Sequence, residues 1–284
     1  MRVFEPTDGH FSDQETGVVL FNQFGATVSQ DAGRDAQVMA DSFHLPVLAV
    51  DRPGTAGFFP SKKLARRLST PNGYLAEVAI LGEKIDGKAE KLGVKKLVAT
   101  GRSAGGLGAL ALVRSETVSS TSAICVAEPV ACEDMPLKQG AERYSEYNKH
   151  QKELLNDDSM ALVRPLPPGL PLLPAIGRLI SIPPAMLFDR FHNQRLFASD
   201  AAIQYAAYIA ENMAAVDTTL EFAEHSMVAT PDVYKHDVQP VAELRKEGAP
   251  FVVKQLSGTV HASFDNRNEM NRVIAPTIER TIER

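Results

Sequence analysis

A chain of 284 residues, 44% hydrophobic and 23% charged, is long enough to bury one large core and too apolar to be disordered throughout. Its formal net charge of −5 supplies no basic footprint for nucleic acid, so the expected partners are small molecules. Cys125 and Cys132 are the only cysteines, too few for a disulfide framework; no His/Cys spacing fits a zinc site, and both read as reduced, buried thiols.

The opening stretch MRVFEPTDGHFSDQ has neither the basic region nor the apolar run of a secretory signal, and the expectation is a cytoplasmic protein. Short apolar, β-rich runs follow at Val18 to Phe21, Val47 to Val50, Leu97 to Thr100 and Ala123 to Ala127. Each ends at a turn signal such as Asn22-Gln23, Asp51-Arg52-Pro53-Gly54 or Glu128-Pro129. Runs of this kind suit parallel strands covered on both faces. Between them, Tyr74 to Leu92 carries a helical pattern that starts after Pro71-Asn72-Gly73 and stops at Gly93, a natural C-terminal cap. A second helical pattern, Leu107 to Val113, directly follows a glycine-rich turn. This is a βαβ layout around a parallel sheet.

The alternation lapses from about residue 133 to 215, where helical patterns at Lys138 to Leu155 and Ala201 to Ala215 flank a Pro/Leu-rich segment. Residues 162 to 188 of that segment are apolar but contain seven prolines, two glycines and two arginines, so no membrane span is expected there. Strand and helix signals then return: a strand at Thr219 to Ala223, a helix from about Tyr234 to Glu247, a strand at Phe251 to Leu256, and a C-terminal helix containing Met270 to Ile278. The expected organisation is one α/β core, residues 1–132 and 216–284, interrupted by a helical insertion over 133–215.

The turn VATGRSAGG admits two readings. A dinucleotide loop of the form Thr-Gly-x-x-x-Gly-x-Gly would need its final glycine at Leu107, and Gly108 falls one place late. It would also normally follow the first strand, and no Tyr-x-x-x-Lys pair accompanies it. The other reading is a nucleophile elbow, Gly101-Arg102-Ser103-Ala104-Gly105, in which a strand turns sharply into a helix and small neighbours make room for the turn. Strand, turn and helix are all present in the pattern, which favours Ser103 as a nucleophile and the Ala104 amide as an oxyanion donor.

With these residues in place the sequence resembles the α/β-hydrolase family over nearly its whole length. Leu20-Phe21-Asn22-Gln23-Phe24-Gly25-Ala26 resembles the family's oxyanion loop, with Asn22 and Gln23 departing from the usual His-Gly. The resemblance makes the amide of Phe24 the second oxyanion donor. Leu48 to Gly54 resembles the family's Asp-x-x-Gly turn. The implied fold is a mostly parallel central sheet with helices on both faces and a helical cap.

A serine hydroxyl needs a base, and the base needs a carboxylate. Of seven histidines, His261 lies in a small-residue loop after the last expected strand, where the family carries its catalytic histidine. His225 is its only serious rival. The acid is less plain, because the usual position after the penultimate strand falls on Ser226, a neutral hydroxyl. Some members carry the acid after the strand that follows the nucleophile helix; that position is Glu128, with Asp232 and Glu224 as alternatives. An incomplete triad is a further reading.

By the same resemblance, region 133–215 forms a cap over the nucleophile, and Leu166, Leu170, Leu172, Leu173, Ile176 and Leu179 would give it an apolar lining for an acyl or alkyl group. Such residues would equally pack a cap onto its core or form a subunit contact in a homo-oligomer. Arg164, Arg178 and Arg190 are candidates for a substrate anion or plain surface residues. The expected activity is hydrolysis of a carboxylic ester through an acyl-enzyme, with no metal or organic cofactor. Thioester, amide or carbon-carbon cleavage on the same machinery, or a catalytically silent ligand-binding role, are the alternatives.

Overall fold

The computed structural model describes residues 1–22, 31–51, 53, 61–115, 120–129, 196, 200–225, 231–244, 248–260 and 267–284. The strands are β1 (Arg2–Phe4), β2 (Thr16–Phe21), β3 (Val47–Val50), β4 (Lys96–Arg102), β5 (Thr121–Ala127), β6 (Asp217–His225) and β7 (Phe251–Val260). They form one sheet in the order β1-β3-β2-β4-β5-β6-β7, in which β1 runs antiparallel to β3 and every other pair is parallel.

The apolar runs are buried on both faces, as the sequence pattern implies. Along β2, Val19 and Phe21 point into one hydrophobic cluster while Val18 and Leu20 point into the other. The same two-residue alternation divides Leu48 from Ala49, Ala99 from Val98, and Ile124 from Cys125. On one side lie α1 (Asp31–Phe43) and the C-terminal α8 (Arg267–Glu283); on the other lie α2 (Lys62–Leu68), α3 (Pro71–Lys91), α4 (Ala104–Arg114) and α5 (Ala201–Asn212). Neither β1 nor α1 nor α2 is signalled in the strand-and-helix reading given above.

Helix α3 shows why its boundaries were readable. Thr70 caps it, accepting the Gly73 N–H at 3.2 Å, and Pro71 occupies the first turn, where a missing N–H costs nothing. At its other end Gly93 is left-handed (φ 73°), and the Val94 and Gly93 amides return to the Ala89 and Glu90 carbonyls. Helix α5, inside the span expected to be an insertion, buries Tyr205 and Ile209 within the same cluster as α4, and the Tyr205 hydroxyl donates to the Pro71 carbonyl at 2.6 Å. The rest of that span, residues 133–195 and 197–199, lies outside the described residues, and so do the expected cap lining and its arginines.

After β6 comes a helical segment in three parts: α6 (Pro231–Val233), a π-helical turn (Tyr234–Val238) and α7 (Gln239–Glu243). The π turn directly precedes Pro240, which has no N–H for a regular helical bond and whose ring crowds the preceding turn. Widening the helix there keeps Tyr234 buried against Phe222, ring centroids 5.0 Å apart.

Candidate active site

The chain runs from β2 outward to β3 and then crosses to β4 on the other side of β2. Beyond the carboxyl ends of β2 and β4 the connections therefore depart in opposite directions, leaving the crevice in which open α/β sheets bind ligands. Ser103 stands at that point, between the last residue of β4 and the first of α4.

Its backbone is unusual. Ser103 has φ 52° and ψ −126°, a conformation an L-residue adopts only when its surroundings impose it, at a cost of about 1–3 kcal/mol. Three contacts impose it. The Ser103 amide donates to the Ala127 carbonyl of β5 at 2.9 Å, and its carbonyl accepts the Gly106 amide at 3.0 Å. The glycines provide the third: a Cβ on Gly105 would lie 2.4 Å from the Phe21 carbonyl oxygen, and one on Gly101 would lie 2.5 Å from the Gly105 carbonyl. The spacing Gly-x-Ser-x-Gly is thus the steric requirement of β2, β4 and α4 meeting at one place.

A serine at a helix start ordinarily turns its hydroxyl inward to cap the first amides. Here the backbone conformation prevents this, and the Ser103 side chain makes no capping bond. The hydroxyl is not taken up by capping, and the Ala104 amide, first in the helix, has no intrahelical acceptor and sits at the positive end of the helix dipole. The arrangement can present a nucleophile and stabilise an anion beside it.

Glu128 lies next to this turn. Arg102 pairs with Ala127 across β4 and β5, which brings Ser103 and Glu128 together at the carboxyl edge of the sheet, both with positive φ (52° and 49°). Glu128 is fully buried; its amide donates to the Glu221 carbonyl and its Oε1 accepts the Ala223 amide, each at 2.7 Å. The carboxylate therefore reaches from β5 to β6. An ionised carboxylate is costly to bury without hydrogen bonds, and the Ala223 amide supplies one. The rival carboxylates are placed differently. Asp232 is exposed on α6, and the Glu224 carboxylate, also exposed, accepts the Gly258 amide of β7 at 2.6 Å.

His261 and Phe24 lie outside the described residues. The strands that lead to them are described: Val260, the last residue of β7, pairs with His225 of β6, and Asn22 continues from β2. Asn22 is a site residue to which sequence reasoning gave no role. It is buried, its amide donates to the Val50 carbonyl at 3.2 Å, and its Nδ2 donates to Asp51 Oδ1 at 3.0 Å. The pair ties the ends of β2 and β3 together where the oxyanion-like loop departs. The signal for it was the departure from the family pattern at Asn22 together with the Asp51 turn, two features read separately.

Cys125 offers no second nucleophile. Burial above all, with the nearby Glu221 carboxylate, pushes its thiol up to about 12, so the thiolate is absent at neutral pH. Cys132 lies outside the described residues. Among the described residues no group of His, Cys, Asp and Glu is placed to hold a metal ion, and no helix is long and apolar enough to cross a membrane.

No family model matches this chain, and no curated protein matches it in sequence. Solved structures match it in shape. A proline iminopeptidase from Mycobacterium smegmatis aligns over 99% of this chain and 94% of its own, at 12% identity and a TM-score of 0.56. A monoacylglycerol lipase from Paleococcus ferrophilus aligns over 99% and 97%, at 18% identity and a TM-score of 0.53. A laboratory-evolved potato epoxide hydrolase aligns over 98% and 94%, at 14% identity and a TM-score of 0.55. Likeness at such identities is likeness of fold.

Proposed function

We propose that this chain, whose fold is that of the α/β-hydrolases, is a serine hydrolase that cleaves a carboxylic ester of a small or medium apolar acid. The observation that carries the reading is Ser103, held at positive φ at the switch point of the sheet with its side chain making no capping bond and a helix N-terminus beside it. Ser103 attacks the ester carbonyl while His261 takes its proton. Glu128 orients His261 and stabilises the imidazolium. The amides of Ala104 and Phe24 hold the tetrahedral oxyanion. His261 returns the proton to the leaving alcohol, and water, activated in the same way, releases the acid from the acyl-enzyme. No metal or organic cofactor takes part, and residues 133–195 form the cap that shapes the acyl pocket, while α5 belongs to the core beside α4.

The assignment of Glu128 is supported by its burial and its position beside Ser103; Asp232 and Glu224 are both exposed. Structural neighbours named for a peptidase, a lipase and an epoxide hydrolase mark how varied the chemistry on this fold is. A serine at the elbow favours acyl transfer among these.

A fluorophosphonate probe tests the reading. The folded protein should be labelled at Ser103, and Ser103→Ala should abolish both labelling and hydrolysis of short acyl p-nitrophenyl esters. An unlabelled, folded wild-type protein would refute it. Running esters against thioesters, peptides and diketones separates the acyl chemistries. Glu128→Gln should lower kcat by about 10³–10⁴, as removal of the charge that supports the base requires, while Asp232→Asn should not.

A further inference from the structure

β6 and β7 pair in parallel from Thr218 with Phe251 to Ala223 with Leu256, and pairing resumes at His225 with Val260. A single β6 residue, Glu224, therefore faces three of β7, Ser257, Gly258 and Thr259, in a bulge at the carboxyl edge of the sheet. Gly258 is left-handed (φ 72°) with open space where a Cβ would lie, so the backbone angle and not crowding calls for glycine.

Residues in a bulge lose their ladder partners, and their amides need another acceptor. Glu224 provides one: its Oε2 accepts the Gly258 N–H at 2.6 Å, three positions upstream of His261. Two further bonds hold the same turn. Gln255 Nε2 donates to the Glu224 carbonyl at 3.4 Å, and Thr259 Oγ1 donates to the Leu256 carbonyl. The irregular end of β7 is thus fixed to β6 by the Glu224 and Gln255 side chains.

We infer that Glu224 is a positioning residue for the base: its carboxylate pins the Gly258 bulge and so sets the direction in which β7 leaves the sheet toward His261. The inference rests on the serine-hydrolase reading above, and it gives Glu224 a role distinct from that of the triad acid. A triad acid must carry charge to stabilise the imidazolium, whereas holding the Gly258 amide requires only an acceptor lone pair. A glutamine oxygen supplies that equally well.

The test compares wild type, Glu224→Gln and Glu224→Ala in p-nitrophenyl butyrate hydrolysis and in the rate of fluorophosphonate labelling at Ser103. Glu224→Gln should stay within about threefold of wild type. Glu224→Ala should lower kcat by about tenfold with KM changed by less than about twofold, the loss expected when a base is misdirected by one missing hydrogen bond. Glu224 is exposed, so both variants should fold; Glu224→Asn, too short to reach Gly258, replaces Glu224→Ala if that variant does not. A fall in Glu224→Gln as deep as in Glu224→Ala overturns the inference, because charge would then be the requirement. Wild-type kcat in Glu224→Ala overturns it too, because the contact would then be idle. A wild-type protein that is neither labelled nor active overturns the serine-hydrolase reading and the positioning role with it, so the two failures are told apart by the wild type alone.

Discussion

Ser103 stores strain where a glycine could sit without it. Its φ of 52° is forced by the Ala127 hydrogen bond and by the close approach of Gly101 and Gly105 to their neighbours, and the same conformation keeps the side chain from capping α4. Stability and function oppose each other at this residue. Ser103→Gly and Ser103→Ala should both be inactive, but Ser103→Gly should be the more stable by about 1 kcal/mol, since only glycine takes positive φ without penalty. Urea denaturation of the two variants gives the difference directly. Equal midpoints would mean that the turn relaxes when the hydroxyl is lost, and that the strain belongs to serine and not to the backbone.

At the scale of elements, the C-terminal helix matters because it begins six residues after His261 in sequence and closes one face of the sheet. It is fastened by a charged pair as well as by packing. Asp217, fully buried at the start of β6, accepts Arg280 Nε at 2.8 Å and Arg280 Nη2 at 3.1 Å, with Arg284 Nη2 at 3.3 Å. The hydrogen bond that Arg280 donates to Asp217 is the main cause of the upward shift in the Arg280 pKa. Bidentate geometry makes this a specific clamp between β6 and α8. Breaking a buried pair costs about 3–5 kcal/mol, but Arg280 is partly exposed and can turn to water, so Asp217→Ala should cost less, about 2 kcal/mol. A double-mutant cycle with Arg280→Met, followed by chemical denaturation, isolates the coupling. Additive single effects would show that packing of Met270, Val273 and Ile274 holds the helix unaided.

The whole molecule is a sheet shielded unevenly from water. β2, β4 and β5 are covered on both faces and flanked by strands, whereas β1 is a three-residue antiparallel edge with no buried residue. Local opening should follow that gradient. In native-state hydrogen exchange, amides of β4 and β5 should exchange only through global unfolding, and those of β1 at far lower cost. Equal protection of β1 and β4 would mean that the edge is covered by something not evident in its own burial.

The central strands were legible because burial on both faces leaves a continuous apolar run, and α3 because its caps are local. The elbow was legible for the same reason: the clashes that demand Gly101 and Gly105 arise within a few residues of Ser103 and appear as spacing. Helix α1 carried a signal in Ala36, Met39, Ala40 and Phe43, at helical intervals, but small apolar residues among Asp and Arg made it faint. β1 had none, because three half-exposed residues become a strand only through their partner β3.

The sequence by itself determined that a serine turn would crown a doubly covered parallel sheet, because both are set by neighbours along the chain. It favoured Glu128 among the carboxylates by resemblance and could not show what any of them touches. Glu128 meets the Ala223 amide across 95 positions and Glu224 meets the Gly258 amide across 34. Which oxygen faces which amide depends on strand register and on one bulge in β7. Those are properties of the assembled sheet, and tertiary structure alone decided them, with Glu128 buried beside Ser103 and Glu224 joined to the Gly258 bulge of β7.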